Sequence, residues 1–146
     1  MDTHALPPSR RRVLTVVAVC LTLLLVSTSA NAVMDVISFR YSTSVFATWP
    51  QHREWIDPQV SWHRKWKNGD RAQGEAFPFS STVLVATTDL WHLAKEVMLW
   101  TLMLAIILPF TLAIRLHWTA WVGLLVLIKC LYSSTFEMLF AWGLIT

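Results

Sequence analysis

The sequence predicts an all-α membrane protein: a bundle of three transmembrane helices, or of two if the leader is cleaved, with an aromatic extracytoplasmic loop. Hydrophobic residues make up 55% of the 146 residues and charged residues only 14%, against about a quarter in soluble domains. The hydrophobic residues also fall in runs that are too long for the helices of a soluble core. These observations exclude a soluble enzyme, a disordered tail and a disulfide-rich secreted module.

Residues 1–37 are either a cleaved leader or the first transmembrane helix. Arginines at 10–12 precede an apolar run over 13–26, which is the layout of a secretory signal with a cleavage site after Ala32. Apolar residues resume directly after that site, so an uncleaved helix over 12–37 is also long enough to span the bilayer. The sequence leaves both alternatives open.

Residues 38–81 form the long polar stretch of the chain, and we expect an extracytoplasmic loop there. Turn signals at Pro50, Pro58, Gly69 and Pro78 predict that no long regular helix forms between 48 and 80. The loop nevertheless has too many aromatic residues for a free linker.

The tryptophans of this loop, with one more near the later helical turn, are candidate interfacial anchors: Trp49, Trp55, Trp62, Trp66 and Trp118. Two interpretations compete. The loop either lies in the headgroup region with its rings as anchors, or it forms a small folded cap that packs on the helices. The scarcity of aliphatic residues favours the first interpretation.

Residues 82–146 are predicted to form a helical hairpin. Its first helix can begin at Ser80–Thr82, because Ser and Thr side chains accept hydrogen bonds from the first free amides of a helix. The apolar run over 97–114 is long enough to span the bilayer, and Pro109 is predicted to kink its last turns. After a short polar turn, a third helix from Trp121 to Ile145 returns antiparallel.

Orientation follows from the positive-inside rule. The rule places the arginines at 10–12 and Arg115 in the cytoplasm, and therefore places the loop 38–81 outside. The loop carries six cations, which argue against this orientation, although four acids dilute them.

The third helix carries a polar face. Lys129, Ser133 and Glu137 recur at i, i+4 and i+8, so they share one side of the helix. Charged groups within a membrane normally face protein or water. We therefore expect this face to point into the bundle or at a partner.

The second helix carries a matching set in Asp89, His92 and Glu96 at i, i+3 and i+7. In an antiparallel hairpin Glu137 comes level with Glu96, and Asp35 leaves a retained first helix at a similar depth. The predicted cluster therefore contains Asp35, Asp89, His92, Glu96 and Glu137. The loop is positioned to add His52 or His63.

Three interpretations of this cluster remain open. Carboxylate and imidazole ligands on facing helices are typical of divalent metal sites in bundles, and the same groups relay protons. Lys95 and Lys129 can instead neutralise Glu96 and Glu137 as structural ion pairs. The third interpretation is contact with a partner subunit. The sequence requires no cofactor and contains no H-E-x-x-H, G-x-S-x-G, P-loop or C-x-x-C motif.

The aromatic loop and the following helix entry carry a resemblance. Residues 55–70, with Ser61-Trp62, Lys65-Trp66-Lys67 and Asn68-Gly69-Asp70, followed by Thr88-Asp89-x-Trp91-His92, resemble a group of small uncharacterised bacterial integral membrane proteins. The resemblance covers about residues 33–115 and leaves the third helix outside. It implies a multi-pass protein of the bacterial inner membrane and no particular chemistry.

These observations predict a structural or accessory subunit of a larger membrane complex. Its partners are the lipid bilayer and a membrane protein or further copies of itself, because so little soluble mass leaves lateral helix contacts as the main means of recognition. Nucleic acid is not expected as a partner, since no face is rich enough in Lys and Arg to bind a phosphate backbone. The alternative is a membrane-embedded metal-dependent enzyme, or an ion- or proton-handling protein, that uses the cluster of His92, Glu96 and Glu137.

Overall fold

The computed structural model of the protein describes residues 10–114 and 117–138, without the side chains of 111–114, 136 and 137. Over these residues the fold is all-helical and contains no strand, only an isolated antiparallel bridge between Trp66 and Glu75. The all-α prediction is confirmed.

Three helices are long and apolar enough to cross a membrane. These are α1 (Arg10–Phe39), α3 (Leu90–Ile114) and α4 (Trp118–Met138). The remaining α-helix, α2, is the single turn Arg53–Ile56. The chain from 40 to 89, here called the cap segment, otherwise folds into short 3₁₀ helices. These are Tyr41–Thr43, Val45–Thr48, Pro50–His52, Ser61–Lys65, Lys67–Gly69, Arg71–Gln73 and Val85–Thr87.

The cap segment is a folded structure built from turns. None of its described helices exceeds five residues, as the Pro and Gly signals predict. Its short helices are closed by backbone hydrogen bonds, such as Trp66 N to His63 O at 2.9 Å and Ala76 N to Lys65 O at 3.0 Å. Backbone groups that are paired in this way need neither a long helix nor a sheet.

The chain divides into two compact units, residues 24–102 and the described parts of 1–23 and 103–146. Within residues 24–102, α1 and α3 pack antiparallel. The Ser27 hydroxyl donates to Met98 O at 3.0 Å, and Trp91 Nε1 donates to Ser38 Oγ at 3.1 Å. Ala30 is buried in the same unit, and small residues such as Ser and Ala allow two helices to approach closely.

The second unit contains helices alone. Its buried residues are Met103, Ala105 and Ile107 of α3, and the Cys20 thiol donates to Ala105 O at 3.6 Å. None of the residues in the α4 window Trp118–Thr135 is buried.

The prediction that the second helix begins at Ser80–Thr82 is wrong. Helix α3 begins at Leu90, because the serines are engaged elsewhere: Ser80 donates its hydroxyl to Lys65 O at 2.8 Å, and the Ser81 amide donates to Glu75 Oε1 at 3.1 Å. A hydroxyl that is bonded within a turn is not available to cap a helix.

Helix α4 begins at Trp118, three residues before the predicted start. His117 caps it, since Nδ1 of His117 accepts from the Thr119 amide at 3.4 Å and the His117 carbonyl accepts from the Ala120 amide at 3.0 Å. The predicted end of this helix at Ile145 lies outside the described residues.

The contact between α1 and α3 gives a stability prediction. Replacing Ala30 by Leu inserts a larger side chain into a buried helix contact, and such overpacking costs about 1–3 kcal/mol. We expect Ala30→Leu to lower the free energy of unfolding by that amount, measured by titrating the micelle-solubilised protein with denaturing detergent.

Ala32→Leu is the matched control, because Ala32 is exposed on the same helix. We expect it to change the free energy of unfolding by less than about 0.5 kcal/mol. Equal losses in the two variants would contradict the packing described here.

Candidate functional site

Asp57 fixes the first turn of the site. Its carboxylate accepts from the Gln59 amide at 2.9 Å and from Arg53 Nε at 2.9 Å. Its carbonyl accepts from the amides of Val60 and Ser61 at 3.0 and 2.8 Å. Asp57 is buried, so these bonds satisfy a carboxylate that water reaches poorly. The turn fixes the backbone position of Ser61.

Glu75 fixes the turn at residues 79–81 of the cap segment. Its carboxylate accepts from the Ser81 hydroxyl, from the Ser81 amide at 3.1 Å and from the Phe79 amide at 2.9 Å. These bonds, that of the Ser81 hydroxyl first, hold the pKa of Glu75 below its ordinary value. Phe79 has a positive φ of 64°, a conformation that is uncommon for a residue other than glycine.

His63 is engaged within the loop. Its Nδ1 donates to Gly69 O at 2.7 Å, and its ring stacks on that of Trp62 with centroids 3.7 Å apart. Gly69 has a φ of 75°, and a Cβ atom at this position would contact the His63 side chain. One face of Trp62 is therefore covered by an imidazole that closes the turn.

Asp89 caps helix α3. Its Oδ1 accepts from the His92 amide at 2.9 Å, the bond expected of an N-cap carboxylate. The Thr88 hydroxyl donates to Oδ2 at 3.1 Å, and Asp89 is only 1% exposed. The N-terminus of the helix adds a favourable partial positive charge.

The Asp89 carboxylate also orients the His92 ring. His92 Nδ1 lies 2.7 Å from Oδ2 and 2.9 Å from Oδ1, so Nδ1 donates its proton to the carboxylate. Burial raises the pKa of Asp89, but the hydrogen bonds and charge of His92 and the Thr88 hydroxyl outweigh it, and the pKa lies below the ordinary value. This arrangement leaves Nε2 of His92 for other partners.

A cavity of about 220 Å³ adjoins this pair. Asp89 and His92 line it together with residues from α1, the turn after Asp57 and the start of α3: Ile37, Ser38, Pro58, Ser61, Trp62 and Trp91. The His92 side chain is 23% exposed. The cavity therefore combines apolar and aromatic walls with an oriented imidazole, the composition typical of small-molecule sites.

A second cavity, of about 350 Å³, is almost wholly apolar. Its lining comes from the cap segment and from the neighbouring ends of α1 and α3: Val33, Phe46, Trp49, His52, Trp55, Ile56 and Leu90. His52 thus lies beside an apolar space in this structure.

The structure brings together two of the five predicted cluster residues, Asp89 and His92. Asp35 is exposed on α1, where it accepts from Asn31 Nδ2 at 3.4 Å. Glu96 is half-buried. The side chain of Glu137 lies outside the described residues. Among the side chains that the structure describes, no group of three His, Cys, Asp or Glu residues is arranged to hold a metal ion.

The predicted polar face of α4 coincides with its less exposed side. Lys129 and Ser133 are half-buried, as are Leu125 and Trp121, one and two turns before Lys129. Lys95 of α3 places its Nζ 5.5 Å from the centre of the Trp91 ring, within the range of a cation–π contact. Lys95, one of the two lysines that the sequence offers for ion pairs, therefore lies beside Trp91, which lines the cavity.

The candidate anchors differ in exposure. Trp49 and Trp62 are 40% and 43% exposed and Trp118 is 69% exposed, whereas Trp55 and Trp66 are half-buried. Arg71 lies over the Trp66 ring at 5.6 Å. The segment is folded, and rings such as Trp49 and Trp62 still reach its surface, so their role as interfacial anchors stays a prediction.

Sequence reasoning missed Ser61 and Thr88 as members of the site. Thr88 precedes the helix cap directly, and its hydroxyl has a local role that the Thr-Asp pair indicates. Ser61 follows the Asp57-Pro58 turn, and 31 positions in the sequence separate it from His92. Helical spacing cannot detect such a pair.

We compared the chain with protein-family models, with curated proteins and with solved structures, and none of the three comparisons gave a match. The functional argument therefore depends on the geometry of the site.

The capping role of Asp89 predicts a pH dependence of stability. Because the folded pKa lies below the ordinary value of about 3.9, the stabilisation is complete above about pH 4 and is lost as the pH falls through the folded pKa. We expect Asp89→Asn to lower the free energy of unfolding by about 2 kcal/mol at pH 7, measured by denaturation in detergent micelles.

The difference between the native protein and Asp89→Asn should shrink below about pH 4, where the native carboxylate becomes protonated. Asp70→Asn serves as the control, because Asp70 is an exposed carboxylate that caps a short turn of the same segment. A difference that is constant from pH 7 to pH 3 would contradict the carboxylate role of Asp89.

Proposed function

We propose that the protein is a multi-pass membrane protein that acts as a structural or accessory subunit of a larger membrane assembly. One observation carries the proposal: in α4, no residue of the apolar window Trp118–Thr135 is buried. A spanning helix that buries no residue takes its packing from lipid or from other helices.

The two sides of α4 indicate where such contacts form. The half-buried side carries Lys129 and Ser133, whereas Thr119, Ser134 and Thr135 are exposed. Large apolar side chains are also more than half exposed, at Val122, Val126 and Leu131. Exposed apolar side chains of this size are suited to lateral association within the bilayer.

For the location, we propose a bacterial inner membrane with the cap segment on the extracytoplasmic side. The arginines at 10–12 begin α1 and are exposed, which supports a cytoplasmic start under the positive-inside rule. The exposed rings of Trp49 and Trp62 suit a segment at the level of the headgroups. The resemblance of residues 33–115 to small bacterial membrane proteins supports the bacterial assignment.

We also propose that the leader is retained as helix α1. The cleavage site after Ala32 lies within this helix, and the preceding residues Ser27 and Ala30 are buried, with the Ser27 hydroxyl bonded to Met98 O. Cleavage would remove these contacts and expose the surface of α3 that they cover. Such a loss favours an uncleaved chain.

Native mass spectrometry of protein that is gently extracted from its own membrane tests this function. We expect the mass of the uncleaved chain within a complex that contains other membrane subunits or further copies. Val126→Trp and Leu131→Trp should reduce the complex at least fivefold, because a bulky ring disrupts a packed helix interface.

Leu25→Trp is the control for lipid-facing positions, since Leu25 is 68% exposed on α1. It should leave the complex intact. A chain that is extracted alone, without partner or second copy, would disprove the accessory role, and a chain that begins at Val33 would disprove retention of the leader.

A second function is supported by the Asp89–His92 pair. We propose that His92 exchanges protons with a ligand at the cavity of about 220 Å³. The carboxylate fixes Nδ1 as a donor, so Nε2 is the atom that takes up or releases a proton. A positioned imidazole of this kind contributes about 10²–10⁴-fold to a proton-transfer step.

This function requires that Nε2 of His92 be accessible in the folded protein. We expect diethylpyrocarbonate to modify His92 in the intact protein, as peptide mass spectrometry would show, with exposed His117 as the positive control. An unmodified His92 beside a modified His117 would disprove the function. A stoichiometric metal that is lost in His92→Ala would replace proton exchange by metal binding.

A further inference from the structure

The Ser61 hydroxyl takes no part in the hydrogen bonding of the described residues. Ser61 is only 5% exposed, and its amide is bonded to Asp57 O at 2.8 Å. A hydroxyl that has no partner in the chain bonds to water or to a ligand.

The position of this hydroxyl follows from the rest of the structure. No fully enclosed polar side-chain atom in the described part of the chain lacks a partner. The Ser61 Oγ is therefore not fully enclosed, and Ser61 lines the same cavity as Asp89 and His92. A serine and an oriented imidazole thus belong to the lining of one small cavity.

Together these side chains have the chemical roles of a nucleophile, a base and a positioning carboxylate. The Asp89 carboxylate holds Nδ1 of His92, which leaves Nε2 to accept a proton, and Ser61 supplies the hydroxyl. This is the logic by which a serine is activated on unrelated folds. In proteins without substrate the hydroxyl and the base are often not yet in hydrogen-bond contact.

The neighbouring apolar cavity indicates the class of substrate. The two cavities share parts of the chain in their linings: Val33 is one helical turn from Ile37, Ile56 is two residues before Pro58, and Leu90 follows Asp89. The larger, of about 350 Å³, offers apolar and aromatic walls beside two helices that can cross a membrane. It suits an acyl chain that arrives from the bilayer.

We propose that Ser61, His92 and Asp89 form a hydrolytic site for carboxylic esters that carry an apolar acyl chain. This inference rests on the second proposed function, proton exchange at His92. Ser61 and His92 are the catalytic residues, and Asp89 is a positioning residue. The smaller cavity holds the ester group and the larger cavity holds the chain.

The reaction has two balanced steps. Ser61 Oγ adds to the ester carbonyl carbon while its proton moves to His92 Nε2; the bond from that carbon to the alcohol oxygen breaks, and the alcohol leaves with the proton from Nε2. Water then attacks the acyl group on Oγ and gives a proton to Nε2. The carboxylic acid departs, and Nε2 returns that proton to Oγ.

A long-chain alkyl fluorophosphonate, which reacts covalently with activated serine hydroxyls, tests the proposal on the full chain in membranes or mild detergent. We expect labelling that peptide mass spectrometry assigns to Ser61. Ser61→Ala should abolish labelling, and His92→Gln should slow it about 10²–10⁴-fold. Ser42→Ala is the control, because Ser42 is an exposed serine of the cap segment outside both cavities.

Two further measurements separate catalysis from folding. Asp89→Asn should lower the rate constant of labelling at saturating probe and leave the half-saturating concentration unchanged, whereas a general loss of structure would change both. A dodecanoyl ester of p-nitrophenol should be hydrolysed at least tenfold faster than the acetyl ester, because only the longer chain fills the apolar cavity.

The outcomes are distinguishable. If the folded protein is not labelled, or if Ser61→Ala is labelled as fast as the native chain, the hydrolytic site is disproved. Modification of His92 by diethylpyrocarbonate in that same sample would leave proton exchange standing. If His92 is also unmodified, both proposals fail.

Discussion

The Asp89 carboxylate is the constraint on which the site depends. Its oxygens accept from the His92 amide, the His92 ring and the Thr88 hydroxyl at 2.7–3.1 Å. One buried side chain therefore starts helix α3, ends the cap segment and sets the orientation of an imidazole. Because a buried carboxylate is stable only when it is well bonded, these tasks depend on one another.

This coupling connects the long helices α1 and α3 with the cap segment. Helix α3 is held to α1 by the bond from Ser27 to Met98, and the start of α3 is held by Asp89. The turn at Asp57 fixes the backbone of Ser61, another residue of the cavity lining. The cavity is thus bounded by backbone that hydrogen bonds fix at three separate places, which is the kind of rigid support that a binding or catalytic site requires.

The sequence was sufficient for the parts of the fold that local pattern determines. Long apolar runs predicted three candidate spans, and the i, i+3 spacing of Asp89 and His92 predicted their contact. It was insufficient where distant partners compete. Ser80 has the residue type of a helix cap, but Lys65 O takes its hydroxyl, and the helix begins ten residues later at Leu90. Ser61 joins the site only through tertiary folding.

The hydrogen bonds of the buried polar side chains bear on both proposed functions. Most of these side chains in residues 24–102 bond to the backbone of the fold: Ser27, Asp57, Ser80 and Thr88. Such bonds stabilise a subunit and need no chemistry to explain them. The Ser61 hydroxyl departs from this pattern, and it does so beside the Asp89-oriented His92. Because the other buried polar groups are paired, the Ser61 hydroxyl supports a site in this cavity. An accessory role alone requires only the long helices and does not explain this hydroxyl.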